Sequence, residues 1–498
     1  MNITKLKKLI ILLVAMVMAV ALLAGCGGDK TSDGTQDVSA PTPDPDALLS
    51  MDQVDRALLL YDQLNTAMDD SLDSVYEKNT VVITIDAMGQ EQVTTQQGEA
   101  THYGMLGDNY ALVFKGELAH DNETTAISMG YINGSSFSQM GDVKIYSNMT
   151  AQEYIDYEEE INKPLNDAIE PSKDKCSQIT SDKDENGNWV ITFKGYSVDA
   201  AMAAFDQLMG SSAYAYKSYI GSVSLELRYV VDAETYYALG QQIIIDTTPV
   251  SGAELGFKID YLSEFSNHDA IASAPTMSLD GFTQIDDIRI IDKIDSGLME
   301  ISKAEQGKYT LDTSTNVTGD IEYYIHEVDH GTYGYNQDGL YNFDIDFEYE
   351  INYGDGLIPN NTGRLTFDGA KYRQQSSDLP EDMEQFITET EAKIIVAGQL
   401  LTLTVSSSDV LDLTVTELED GGYKVKITCG GQLLEEAEYM LYSLSGVEWS
   451  TTSSDITMTV IMDADYNITS ISKSVNLDAK YVIYTVNLQQ SISVDFTK

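Results

Sequence analysis

The sequence predicts an α+β fold written twice: two tandem units, each opened by a helix and dominated by antiparallel strands. Three observations lead there. A segment recurs after about 230 residues, and long repeats of this kind decide the architecture. Val223-Ser-Leu225-Glu-Leu227-Arg-Tyr229-Val-Val231-Asp232-Ala233-Glu234 is matched by Ser454-Asp-Ile456-Thr-Met458-Thr-Val460-Ile-Met462-Asp463-Ala464-Asp465, with the same apolar register and the same Asp-Ala-acid turn. Alternation marks strands. Phe343, Ile345, Phe347, Tyr349 and Ile351 interleave with Asp344, Asp346, Glu348 and Glu350, one apolar face and one wet face. Helical spacing marks the start of each half, through Val54, Leu58, Tyr61, Leu64 and Met68, then Ile285, Ile288, Ile291, Ile294 and Leu298.

The elements follow in chain order. Lys5, Lys7 and Lys8 precede an apolar run from Leu9 to Ala24, which ends in Leu23-Ala24-Gly25-Cys26. That run has the length of a signal-peptide core and falls short of the roughly twenty residues a spanning helix needs. The ending resembles a bacterial lipobox, so residues 1–25 read as a lipoprotein signal peptide. The resemblance implies that Cys26 becomes the new N-terminus, acylated through a diacylglyceryl group with chains of the palmitate kind. Two chains anchor a protein stably where one is marginal. Residues 26–46 are rich in Gly, Ser, Thr, Asp and Pro, which build no core, and read as a flexible tether.

The first unit then spans 47–268, the segment 266–281 links, and the second unit spans 282–498. Two hairpins correspond. Tyr131-Ile132-Asn133-Gly134-Ser135-Ser136-Phe137 and Thr366-Phe367-Asp368-Gly369-Ala370-Lys371-Tyr372 both read as strand, Asn/Asp-Gly turn, strand. Two helical segments are expected to correspond as well, Ala151–Ile155 with Asp382–Ile387, and Ser197–Met209 with Gln432–Leu444.

In element order the chain resembles the LolA/LppX-like group of bacterial lipoproteins and lipid carriers, once in each half. The residues that carry this are the hairpin Phe367–Tyr372, its partner Ile132–Phe137, and the strand-turn units ending at Asp232-Ala233-Glu234 and Asp463-Ala464-Asp465. The resemblance implies two tandem curved antiparallel β half-barrels, each closed by helices, whose interior accepts acyl chains or other apolar groups. The tandem pairing and the acidic excess depart from the simple carriers.

Composition narrows the function. Apolar residues make up 43 % and charged residues 22 % of the 498, as in a folded chain. The net charge of −51 excludes a basic nucleic-acid footprint, so no nucleic-acid partner is expected. It also fits an exported protein of a Gram-positive anaerobe. Three cysteines build no disulfide framework, and Cys176 and Cys429 are expected as buried free thiols.

His326-Glu327-Val328-Asp329-His330 matches the zincin pattern H-E-x-x-H, which on a helix puts both histidines on one Zn²⁺ with Glu327 as base. Tyr323-Tyr324-Ile325 favours a strand instead. There the two rings stand roughly 13 Å apart and share no metal. Asp182–Asn188 matches the opening of an EF-hand loop, but Phe193 stands where the closing Glu belongs, which leaves a turn. The acidic row Asp344–Glu350 reads as a solvated sheet face. Thirty-one tyrosines, with Tyr214, Tyr216, Tyr219, Tyr236 and Tyr237 in one region, suit strands or a recognition surface. No nucleophile elbow, phosphate loop or dinucleotide fingerprint is visible, so neither an enzyme nor a cofactor is expected.

The leading expectation is a lipid-anchored lipoprotein on the extracytoplasmic face of the cell membrane. It would bind an apolar or amphiphilic, lipid-like ligand without catalysis. The candidates to line such a site are Leu225, Leu227, Tyr229, Ile456, Met458 and Val460, residues that a filled core would need equally. The alternative is a surface interaction module with filled cores, contacting cell wall, glycan or a protein partner. The zinc peptidase comes a distant third.

Overall fold

The computed structural model describes residues 45–497, apart from 88–89, 108, 121–122, 210–219, 251–254, 353–356, 378–381 and 401–408. The segment expected as a signal peptide, Cys26, the expected tether up to residue 44, and Tyr214, Tyr216 and Tyr219 lie outside the described residues. Contacts divide the chain into two compact units. The described parts of 45–141, 148–209 and 220–280 form the first; 142–147 and 281–497 form the second.

In the first unit, helices α1 (Pro45–Ser50) and α2 (Gln53–Asp70) lead into strands β1 (Ser74–Ala87), β2 (Gln90–Tyr103), β3 (Ala111–His120), β4 (Glu123–Ile132) and β5 (Ser135–Met140), and then comes β6 (Val143–Asn148), of which residues 143–147 cluster with the second unit. Helix α3 (Ala151–Ile169) follows, then β7 (Cys176–Lys183), β8 (Trp189–Tyr196), helix α4 (Val198–Met209), β9 (Ile220–Val231), β10 (Ala238–Pro249) and β11 (Leu255–Ser266). A two-residue strand β12 (Thr283–Gln284) pairs in parallel with Ile145 and Tyr146, residues that cluster with the second unit. The second unit runs α5 (Arg289–Ser302), β13 (Gly307–Gly319), β14 (Tyr323–Tyr335), β15 (Tyr341–Asn352), β16 (Leu357–Phe367), β17 (Lys371–Ser376), β18 (Met383–Phe386), α6 (Glu389–Leu400), β19 (Val410–Glu417), β20 (Tyr423–Cys429), α7 (Gly431–Ser445), β21 (Ser450–Met462), β22 (Ile468–Tyr481) and β23 (Tyr484–Thr497).

Two large sheets result, of twelve and eleven strands. Apart from β12, both have one strand order. The first strand of each pairs with the last, β1 with β11 and β13 with β23, and the remaining strands meander outward on either side.

The expected α+β class, with half-barrels closed by helices, is overturned. About 55 % of the chain is strand, the helices are few, and both sheets are open, with free edges and no closed barrel. The physical reason lies in what alternation encodes. Period two says which face of a strand is buried, whereas closure depends on whether the edge strands meet at a consistent stagger.

A second correction concerns Asp382–Ile387, expected as a helix. Met383–Phe386 is instead the edge strand β18, paired with β17. The helix starts after it, at Glu389, with Thr388 as its cap. The Thr388 hydroxyl accepts from Glu391 N–H at 3.2 Å while the Glu391 carboxylate accepts from Thr388 N–H at 2.6 Å. Thr150 and Glu153 form the same capping box ahead of α3.

The repeated turns both end on a tyrosine at positive φ, and the first is one residue longer than the second. Tyr236 N–H bonds Asp232 O and Tyr466 N–H bonds Asp463 O, with positive φ of 61° and 62° at the two tyrosines. Aromatic rings lie over glycines inside each sheet. A Cβ on Gly98 would stand 2.3 Å from the Phe114 ring, and one on Gly331 2.1 Å from the Tyr309 ring. Gly331→Ala must therefore displace buried Tyr309. The expected cost is about 1–3 kcal/mol, read from urea unfolding. An unchanged midpoint would show that the Tyr309 ring moves aside freely.

Candidate functional site

A cavity of about 720 Å³ opens in the first unit, between α2, α3 and strands β9–β11. Helical spacing explains the α2 wall. Tyr61, Leu64, Asn65 and Met68 recur at steps of three and one, so they share one face. That helix begins at Asp52, whose side chain accepts from Val54 N–H at 2.9 Å. The sheet supplies the floor through Tyr229, Gln241 and Phe265.

The floor is apolar with a tyrosine network. The Tyr61 ring lies 5.6 Å from that of Tyr229 and 5.7 Å from that of Phe193. Gln241 donates to the Tyr229 hydroxyl at 3.3 Å, and Tyr196 donates to the carbonyl of Ile169 at 2.7 Å. Burial pushes the Tyr61 and Tyr229 phenols up from their ordinary value, so both stay protonated at neutral pH.

The α3 wall is of another kind. Asp156, Glu159, Glu160, Lys163, Asp167 and Glu170 line the cavity at helical spacing, five carboxylates to one ammonium. Asp69 adds a further carboxylate from α2. Asp167 and Glu170 stand at the C-terminal end of α3, where the helix macrodipole disfavours negative charge. Asp62 on α2 has its carboxyl raised above its ordinary value, first by burial and then by the charge of Glu170. An apolar floor beneath an acidic rim can hold an apolar tail and attract a positively charged head.

Of the six residues expected to line a ligand site, Tyr229 lines this cavity. Leu225 and Leu227 are buried in the sheet beside it, Leu227 opposite Phe193. Ile456, Met458 and Val460 are buried in the second unit, opposite Cys429, Ile427 and Val425 on β20. The α3 acids were legible as a helical stripe, but a stripe of this kind ordinarily marks a wet face.

His326 and His330 lie on β14 and bond separate partners on β13. His326 Nε2 is 3.1 Å from Asp312 Oδ1, and His330 Nδ1 is 3.1 Å from the Thr310 hydroxyl. Glu327 points to the opposite face of the strand, as alternation requires. Among the described residues no cluster of three or more metal-ligating side chains is present. Asp184 closes the Asp182–Asn188 segment as a turn, accepting from the N–H groups of Asn186 and Asn188 at 2.9 Å each. Cys176 and Cys429 are buried and free. No described helix is long and apolar enough to cross a membrane.

No family model matches this chain, and neither does any curated protein. Among solved structures, the chain is similar to LprF from Mycobacterium bovis at 13 % identity and a TM-score of 0.26, over 45 % of this chain and 99 % of that one. It is similar to OccD3 (OpdP) from Pseudomonas aeruginosa at 7 % identity and a TM-score of 0.11, over 86 % and 92 %. Likeness at these TM-scores is too slight to carry fold or function to this chain.

Proposed function

We propose that this chain is a lipid-anchored lipoprotein of the extracytoplasmic face, held to the membrane through Cys26, which binds an amphiphilic ligand without catalysis. The observation that carries it is the α2–α3 cavity of the first unit. Its volume of about 720 Å³ is in the range of small-molecule sites, which bury an apolar body and fix it with a few polar groups. The rim favours a ligand head with positive charge over one bearing phosphate.

Native mass spectrometry of the chain from Gly27 to Lys498 tests this directly. One alkyl amine per chain is expected to bind at least tenfold more tightly than an alkyl phosphate of equal length. Met68→Trp, which fills the cavity from its α2 wall, is expected to remove both. Equal affinity for the two heads would remove the role given to the rim, and a bare mass under every condition would end the ligand reading. Anchoring is tested separately: Cys26→Ser is expected to move the protein from the membrane fraction to the soluble one.

One observation favours the alternative of surface recognition for the second unit. A groove of about 550 Å³ involves the wet side of β14–β17, lined by His330, Asp346, Glu348, Thr362, Arg364 and Gln375. Such a polar groove suits a glycan or a peptide better than an acyl chain.

A further inference from the structure

The β22–β23 hairpin ends in four exposed apolar residues in succession: Tyr481 at 39 %, Val482 at 70 %, Ile483 at 78 % and Tyr484 at 48 % exposure. Tyr481 pairs with Tyr484, so Val482 and Ile483 are the two turn residues. Turns of this length ordinarily carry Gly, Asn or Asp. Val482 has φ of 58°, a conformation that β-branched side chains rarely adopt and glycine adopts freely. The base of the hairpin is well held. Thr485 N–H donates to Asp320 Oδ2 at 2.7 Å, and Asp320 N–H donates to Thr485 O at 3.0 Å. The tip thus keeps two aliphatic side chains where neither local folding nor solubility favours them.

We infer that this tip is a membrane contact, in which Val482 and Ile483 enter the interfacial zone of a lipid bilayer. The residues behind them have the composition of an interfacial collar. Tyr481 and Tyr484 flank the turn, and the Trp449 ring packs edge-on to that of Tyr481 with centroids 6.1 Å apart. Aromatic side chains with a polar edge concentrate at the level of lipid head groups.

Charge points the same way. Residues 479–494 contain no carboxylate and one lysine, Lys480, in a chain where 80 of 498 residues are acidic. The nearby carboxylates are set behind the tip and hydrogen-bonded, Asp320 to Thr485 N–H and Asp478 to Ser453 and Asn487, so the tip itself meets head groups with no acid on the turn. Size separates a bilayer from a protein partner. Four side chains offer far less than the ~800 Å² per partner of a stable protein interface. Shallow insertion needs no more than this, and such weak contacts add usefully to a second membrane signal.

Flotation with phosphatidylcholine vesicles tests the inference on the chain from Gly27 to Lys498. This form lacks Cys26, so the result is independent of lipidation, and it is independent of the α2–α3 cavity. A minor but measurable fraction of the protein is expected to float when lipid is in large excess. Val482→Gly combined with Ile483→Asn is expected to lower the bound fraction at least tenfold, while the melting temperature stays level or rises because the turn relaxes. Ile483→Lys alone, at the most exposed position, should lower binding without a change in melting temperature. Failure of the unaltered chain to float would overturn the inference, as would equal flotation of the variants. A dimer in solution that the variants dissociate would overturn it too, and would assign the tip to self-association.

Discussion

Asp329→Asn is expected to stabilise the protein by about 2–4 kcal/mol at pH 8 and by less than about 1 kcal/mol at pH 4. Asp329 lies on the apolar face of β14, opposite Leu311 on β13 and Phe347 on β15. Its side chain is 2 % exposed, and Oδ1 has no hydrogen-bond partner among the described residues. Tyr309 Oη, also buried, has none either. Burial first, and then the neighbouring charge of Glu327, push the Asp329 carboxyl up from 3.8 to about 7.

The direction of the pH effect follows. The folded chain keeps the Asp329 proton up to about pH 7, and the unfolded chain releases it near 3.8. Between those values the folded state binds the extra proton, so stability falls as pH rises through the window and stays low above it. Each pH unit in the window is worth about 1.4 kcal/mol, so roughly three units set a ceiling near 4 kcal/mol. Water entry and relaxation lower that figure. An amide removes the charge at every pH, and its benefit grows with pH for that reason. Urea unfolding of both proteins at pH 4, 6 and 8 checks this. An equal offset at all three values would mean that Asp329 is ionised and satisfied in the fold.

Asp329 also shows where the sequence was readable and was read too narrowly. Tyr323, Ile325, Glu327, Asp329, Gly331 and Tyr333 alternate along β14, so the two acids share a face with apolar residues. As part of H-E-x-x-H they were read only for chemistry. Period two ranks them with the interior, and in the structure Asp329 is buried there.

The hairpin at Asn133-Gly134 was legible because a two-residue turn has few acceptable sequences, and the one at 368–371, a longer loop between Phe367 and Tyr372, because Asp-Gly still marks a turn. Strand β18 was not, since Asp382–Ile387 carries helical spacing by chance. The stop signal was the Thr388–Glu391 capping box six residues beyond the expected start, the same signal as Thr150–Glu153. Sheet closure was out of reach, because it is a property of edges far apart in sequence. So was the cavity. Leu225, Leu227 and Tyr229 lie on one face of β9 with the same periodicity, and what sets Tyr229 beside open space is where α2 and α3 settle, a matter of helix packing.

Glu77→Leu is the companion loss, expected to cost about 3–5 kcal/mol. The same backward extension of a period finds it. Ile85, Ile83 and Val81 lead along the inner face of β1 to Asn79 and Glu77. The Glu77 side chain is 1 % exposed and holds three partners. The Tyr261 hydroxyl donates to Oε1 at 3.2 Å, the Ser263 hydroxyl donates to the same oxygen, and His102 Nε2 lies 3.2 Å from Oε2. Leucine satisfies the burial of the site but strands the imidazole away from water and takes the shared acceptor from the Ser263 and Tyr261 hydroxyls, which keep only the 2.7 Å bond between them. Their lost bonds, more than the lost acid, set the size of the effect.

Two further variants separate these contributions. Glu77→Gln keeps an acceptor for Ser263 and Tyr261 and should cost less than half as much. Adding His102→Leu to Glu77→Leu should recover about 1–2 kcal/mol, since replacing both members of a buried pair by apolar groups leaves fewer orphans than removing one. Unfolding midpoints of the two single variants and the double variant give the coupling. If the two losses simply add, His102 and Glu77 are not paired in solution, and the cost of Glu77→Leu belongs to the Ser263–Tyr261 side alone.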